Sequence, residues 1–234
     1  TFVETLHDSI QSIKPHVRLS AAVLGKYNWS GWQGYGTVYQ DGAKWYNEGS
    51  IDHIMPMSYH WTTAQGFLDM LSEDCPNCWE PYIWEGIGSG RAFTVGPGSY
   101  ILESYDVWNN HSDIINSMRG LDWVDGYQFF SYATWRDKDY FLSAGNTFFS
   151  KKTKIKMNPN GFNSEMKSPP VIVLSSDNGN TQLDIFPKDT DDPHWVITYV
   201  SDSPTANQET AEVMDIHFAK DQFMIPLETS AIDT

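Results

Sequence analysis

Basic residues are scarce in this chain. Fifteen Lys and Arg stand against thirty Asp and Glu, a formal net charge of −15. Such a chain repels phosphate backbones, and its few cations form no basic stripe, so nucleic acid is not an expected partner. Long apolar runs are missing too: no stretch approaches the roughly 18 residues of a membrane span. Cysteine is limited to Cys75 and Cys78, in the motif CPNC. Without a second pair, or a nearby His at ligand spacing, a four-ligand zinc site would need distant partners. A thioredoxin-type pair follows a strand and opens a helix. Here the pair follows a helix-patterned run at Phe67–Leu71, so it reads as a local disulfide or as two loop thiols. The acidic clusters DTDDP and DNGN lack the EF-hand register and read as turns. No metal and no cofactor is expected. There is no initiator Met, signal peptide or transit segment. Thr1 therefore follows processing or begins a fragment of a longer chain, with the fragment at least as well supported.

Aromatics, by contrast, are abundant: ten Trp, twelve Tyr and twelve Phe. Trp29, Trp32, Trp61, Trp84 and Trp135 all fall in apparent loops or at strand ends, where aromatics more often bind than pack. The run IDHIMPMSYHW at Ile51–Trp61 is the most informative segment. It is apolar enough for a parallel strand buried on both faces, and it ends in Tyr59, His60 and Trp61.

The patterning predicts helix Phe2–Ile13, strand Val17–Leu24, helix Thr37–Asn47 and strand Ile51–Tyr59. A helix capped by Thr62 or Thr63 then runs to Leu71, followed by a strand at Tyr82–Ile87 and a Gly-rich loop, GSGRAFTVGPGS. A helix capped by Ser112 ends at Gly120, and a strand at Val124–Tyr132 leads to Trp135. Strand and helix thus alternate four times over residues 1–150, with long aromatic loops after the strands and short ones before them. That is the asymmetry of an α/β barrel, whose functional face lies at the strands' carboxyl ends. A full barrel needs about 250 residues and eight strands, so four strands make half of one.

The texture changes near residue 150. Residues 151–169 read as a linker, and residues 170–234 as a small all-β sandwich. Its expected strands are Val171–Leu174, Gln182–Phe186, Trp195–Val200, Val213–Phe218 and Phe223–Leu227. A seven-stranded sandwich takes about 100 residues, so this one looks incomplete.

The stretch IKPHV, then GTVYQDGAKWYNEGSIDHIMPMSYHW, resembles the bacterial family-10-like glycosylhydrolases. The matching residues are Tyr39, Asp41, Trp45, Gly49, Ile51, Asp52, Ile54, Pro56 and Tyr59. Asp125, Gly126 and the run Phe129–Tyr132 are similar to that family's eighth strand, after which a fibronectin-III-like domain commonly follows. The likeness departs at Met57, where the family has Gln, and at Glu85, which matches no family residue. The resemblance implies the C-terminal half of a (β/α)8 TIM barrel, strands five to eight, followed by the sandwich. It also implies that strands one to four, with a catalytic carboxylate on the fourth, come from an upstream N-terminal half-barrel of the same parent chain or from another polypeptide that completes the barrel.

Glycoside hydrolysis uses two carboxyl groups. Glu85, read at a strand's carboxyl end, is the first candidate; its plainer role is to pair with a cation such as Arg91. Asp137 is the second, or simply a solvated loop residue. Asp52 and Asp125 sit at strand starts and are assigned structural roles. Trp29, Trp32, Tyr59, His60, Trp61, Trp84, Tyr132 and Trp135 are the expected substrate-binding set, indoles stacking on the apolar faces of sugar rings. His60 is equally well a core histidine bonded to a carbonyl. Three functions stay open: a hydrolase acting on a poly- or oligosaccharide, a non-catalytic carbohydrate-binding protein, and an unrelated α/β scaffold. Extracellular, periplasmic or cell-surface location follows from the substrate class and the acidic composition.

Overall fold

Thr1 and Glu4 begin the first helix by satisfying each other's neighbours. The Thr1 hydroxyl accepts the Glu4 N–H and the Glu4 carboxylate reaches back to the amino terminus, a capping box on α1 (Phe2–Ile13). The computed structural model describes residues 1–15, 17–72, 78–153, 168–177, 180–188, 195–207, 210–218 and 221–227. It divides into two compact units, Thr1–Ser150 and, among the described residues, those from 151 onward. No helix of the described residues is long and apolar enough to cross a membrane.

The first unit is a mixed α/β fold on a four-stranded parallel sheet in sequential order: β1 (Ser20–Leu24), β2 (His53–Met57), β3 (Ala92–Val95) and β4 (Gly126–Tyr127). Around it run α2 (Gly34–Val38), α3 (Gly42–Asn47), α4 (Ala64–Leu71), α5 (Glu80–Gly88), α6 (Ser99–Ser104), α7 (Asn110–Met118), α8 (Tyr132–Asp137) and α9 (Tyr140–Asn146). Parallel strands taken in sequence, each crossover having the same hand, put their helices on one face of the sheet. Burial follows that rule. Val23, Ile54, Phe93 and Val95 join Tyr46, Phe67, Leu71, Ile83, Leu102, Ile114 and Met118 in one core. The alternate positions point the other way: Ser20 and Ala22 are exposed, and His53, Met55, Met57 and Thr94 are half-buried. Across that face His53 Nε2 lies 2.8 Å from Thr94 Oγ1.

Asp52 and Asp125 hold the sheet where its strands begin. Asp52 Oδ2 accepts the Leu19 N–H at 2.8 Å and Asp125 Oδ2 accepts the Phe93 N–H at 2.9 Å. Each carboxylate thus ties its own strand's entry to the preceding strand, the structural role expected of both.

Several elements differ from expectation. The helix predicted over Thr37–Asn47 is two helices, because Tyr39 takes a left-handed φ of 58° that ends α2, and Asp41 caps α3 afresh. Tyr82–Ile87 is not a strand: it lies within α5, whose first turn holds Pro81, where a missing N–H costs nothing. Gly86 lets α5 press on α3, since a Cβ there would stand 2.2 Å from the Tyr46 ring. The strand is instead β3, inside the stretch read as a Gly-rich loop. The helix expected to be capped by Ser112 begins earlier, at Asn110, and α6 precedes it. The last strand is only Gly126–Tyr127, extended by a bridge between Phe130 and Gly98, and Tyr132 already opens α8.

In the second unit all five expected strands are present: β5 (Val171–Asp177), β6 (Asn180–Phe186), β7 (Trp195–Val200), β8 (Glu212–Phe218) and β9 (Phe223–Pro226). They form antiparallel sheets of order β5-β6-β9 and β7-β8. Ile185, Val196, Phe223 and Ile225 make a small core between the sheets. Most of the expected linker, and the cluster DTDDP, lie outside the described residues.

Candidate functional site

Following a strand to its carboxyl end leads, in the first unit, to a ring-bearing loop each time. After β2 comes Tyr59, after β3 the segment Gly96–Tyr100 that runs into the first turn of α6, and after β4 the run Gln128–Tyr132. Three rings from these loops meet. Tyr59 stacks on Phe130 with centroids 5.4 Å apart and planes 26° off parallel. Tyr100 stands edge-on to both, 5.8 Å from Tyr59 and 5.6 Å from Phe130. Phe130 nonetheless keeps 53% of its surface in solvent, and Tyr100 is also exposed. Such offset and edge-on pairs are worth about 0.5–1.5 kcal/mol each beyond burial, enough to hold the rings as a rigid platform.

Backbone contacts fix the platform from beneath. Phe130 N–H donates to Pro97 O at 3.2 Å and Tyr100 N–H to Phe130 O at 3.4 Å. Gly98 lies directly against Tyr59, where a Cβ would come within 3.0 Å of the Tyr59 Cβ. Burial, followed by the nearby Tyr100, raises the Tyr59 phenol above its usual range, so it stays a hydroxyl able to donate and accept.

A second ring group follows β1 and β2. Trp29 and Trp61 lie edge-to-face at 6.5 Å, with His60 6.1 Å from Trp61. His60 is exposed, which removes the alternative that it is a core histidine. Trp32 is exposed. Tyr132, 69% exposed, leans on Phe141 at 5.4 Å.

Four expected site residues are placed elsewhere. Trp84 and Glu85 lie on solvent-facing positions of α5, because the segment is helix and not strand; neither stands at a strand's carboxyl end. Asp137 ends α8 on the surface, its Oδ1 2.7 Å from Arg136 Nη2. Trp135 is buried, its ring edge-on to Tyr140 at 5.1 Å and its indole N–H spent on Ser99 Oγ at 2.8 Å. It supports the loops and offers no face to a ligand. Asp41 is also committed, accepting the Tyr27 hydroxyl at 2.6 Å and capping α3. Among the other carboxyl groups, burial and then Asp122 raise Glu80, in the first turn of α5.

Tyr100 was absent from the expected set, and Phe130 entered only through the family likeness. Placing the third strand at Ala92–Val95 would have brought both to the same rim as Tyr59. What the arrangement offers is an aromatic, polar-edged surface of the kind that binds flat apolar faces bearing hydroxyls. Comparison with protein-family models and with curated proteins gives no match for the chain.

Proposed function

We propose that the chain binds a poly- or oligosaccharide at its strand carboxyl ends, with Tyr59, Tyr100 and Phe130 as the stacking platform. The observation that carries this reading is a three-ring cluster kept more than half open to solvent at its outer member. A core cluster would bury that area, worth about 25 cal/mol per Å2. His60, Trp61, Trp29, Trp32 and Tyr132 extend the same role along the loops. Trp84, Glu85, Asp137 and Trp135 do not take part.

Hydrolysis of O-glycosidic bonds is the second reading. It is favoured by the one-sided sheet, whose uncovered face fits part of a (β/α)8 barrel, with the antiparallel sheets read as a fibronectin-III-like sandwich. In that reading the acid pair comes from groups other than Glu85 and Asp137, including an N-terminal half-barrel. An exported or cell-surface location is supported by Cys78, which is buried and disulfide-bonded, since such bonds persist in oxidising compartments.

Electrophoresis through gels containing soluble glucan, xylan or glycol chitin tests the proposal. At least one polymer retards the wild type, and Phe130→Ala and Tyr59→Ala each reduce that retardation several-fold. Identical mobility of all three proteins in every gel defeats it. Release of reducing ends from the retarding polymer separates hydrolysis from binding alone.

A further inference from the structure

We propose that His111 is a positioning residue whose uncharged form clamps the ring platform, so that the platform loosens when His111 is protonated. The inference rests on the saccharide reading only for its functional consequence.

His111 is completely buried, and both ring nitrogens are engaged. Nδ1 lies 2.7 Å from the carbonyl oxygen of Trp108, which can only accept, so Nδ1 carries the hydrogen. Nε2 lies 2.8 Å from Ser99 Oγ, and that same oxygen takes the Trp135 indole N–H at 2.8 Å. With a neutral ring the chain runs one way: Trp135 N–H to Ser99, Ser99 O–H to His111 Nε2, His111 Nδ1–H to Trp108. Every donor meets an acceptor. A proton on Nε2 reverses one link, and Ser99 Oγ then faces two N–H donors while its own hydrogen loses its partner.

The surroundings offer the charge little. The imidazole is ringed by Trp108 at 4.4 Å, Tyr140 at 5.5 Å, and Phe129 and Trp135 at 5.9 Å. Tyr140, from α9, is itself held protonated by burial. Lys138, at the end of α8, stands 5.4 Å from the Trp108 ring, and Glu103 of α6 is engaged by Lys138 at 3.2 Å. Asp113, on α7 itself, is exposed to solvent. Burial accordingly pulls His111 below the ordinary histidine value, against a smaller upward pull from the Trp108 carbonyl.

The clamp acts where the platform is built. Ser99 sits between Gly98, which bridges to Phe130 and backs Tyr59, and Tyr100, which is a platform ring. Trp135 belongs to the helix that follows Phe130. One buried chain therefore joins the segments that follow β3 and β4, the same two that carry Tyr100 and Phe130.

Nitrogen-detected NMR of the wild type across pH 7.5 to 4.5 tests the clamp. The expected result is an Nδ1–H tautomer at neutral pH, with the ring resonances of Tyr59, Tyr100 and Phe130 shifting at the same midpoint as His111, below about 6.5. His111→Gln, which cannot titrate, removes that shared midpoint. An Nε2–H tautomer, or platform resonances indifferent to the His111 titration, overturns the proposal, and the wild-type titration decides even if the variant does not fold. Gel retardation in the same buffers is lost at that midpoint. If no polymer retards the protein at any pH, the saccharide reading falls while the NMR result still judges the clamp.

Discussion

Phe130 spends its hydrophobic surface on the solvent side of a stack, and the cost of that exposure makes it the natural place to test binding. Replacing it with Ala is expected to weaken saccharide affinity about 5–10-fold, roughly 1–1.4 kcal/mol, by removing one aromatic contact. Titration calorimetry checks both this and Trp84→Ala, on the exposed side of α5, which is expected to leave affinity unchanged. Asp52 tests a different kind of residue. It is fully buried and accepts the Leu19 N–H, so Asp52→Ala leaves that donor without its partner. A loss of about 1–3 kcal/mol in urea unfolding is expected. The roles of Asp52 and Asp125 were legible beforehand because a carboxylate at a strand's entry has backbone donors within reach. Trp135 was not, because an indole in a short stretch of polar residues has the same local pattern whether it faces a ligand or a buried serine.

Helix α5 and strand β3 explain most of what the sequence concealed. PYIWEGIG is short, apolar and rich in bulky residues, a composition shared by strands and half-buried helices. The decisive features were Pro81 at its start and the burial of Ile83 and Gly86 at helical spacing. The true strand is four residues long and flanked by glycines, so it carried no period of its own. Long-patterned elements fared better: α1 lies where predicted, and the five strands of the second unit fall where short β-patterned stretches are set off by turn clusters. Misplacing one strand displaced Glu85 and hid Tyr100. The glycines of α5 allow a direct check of its packing. Gly86→Ala drives a methyl group into the Tyr46 ring and is expected to cost about 1–3 kcal/mol in thermal or urea unfolding. Gly88→Ala, with nothing within 4 Å, is expected to be neutral or to stabilise by about 0.5–1 kcal/mol. Equal losses at both positions would mean that α5 does not pack on α3 as described.

Charge acts on the molecule as a whole. At −15, the protein is expected to bind an uncharged glucan more tightly than polygalacturonate of similar length, with the gap closing as salt rises. Salt-independent preference would place the discrimination in local contacts instead. Acid works through the histidines. Burial lowers both His53, where Arg18 adds to the effect, and His111. Their unfolded forms take protons first, so folding stability is full above about pH 6.5 and falls as pH drops through that value toward the depressed folded values. Urea midpoints taken from pH 7.5 to 6, above the range of ordinary carboxylates, should decline, and a rise would contradict the burial of both rings. The parallel sheet, finally, divides the four methionines of residues 1–150 into two chemical populations. Met70 and Met118 lie sealed beneath the helices, whereas Met55 and Met57 project from the sheet's other side and remain partly wetted. Mild peroxide should convert the latter pair to sulfoxides before Met70 and Met118, giving this unit its own mass-spectrometric gauge of when that side is covered.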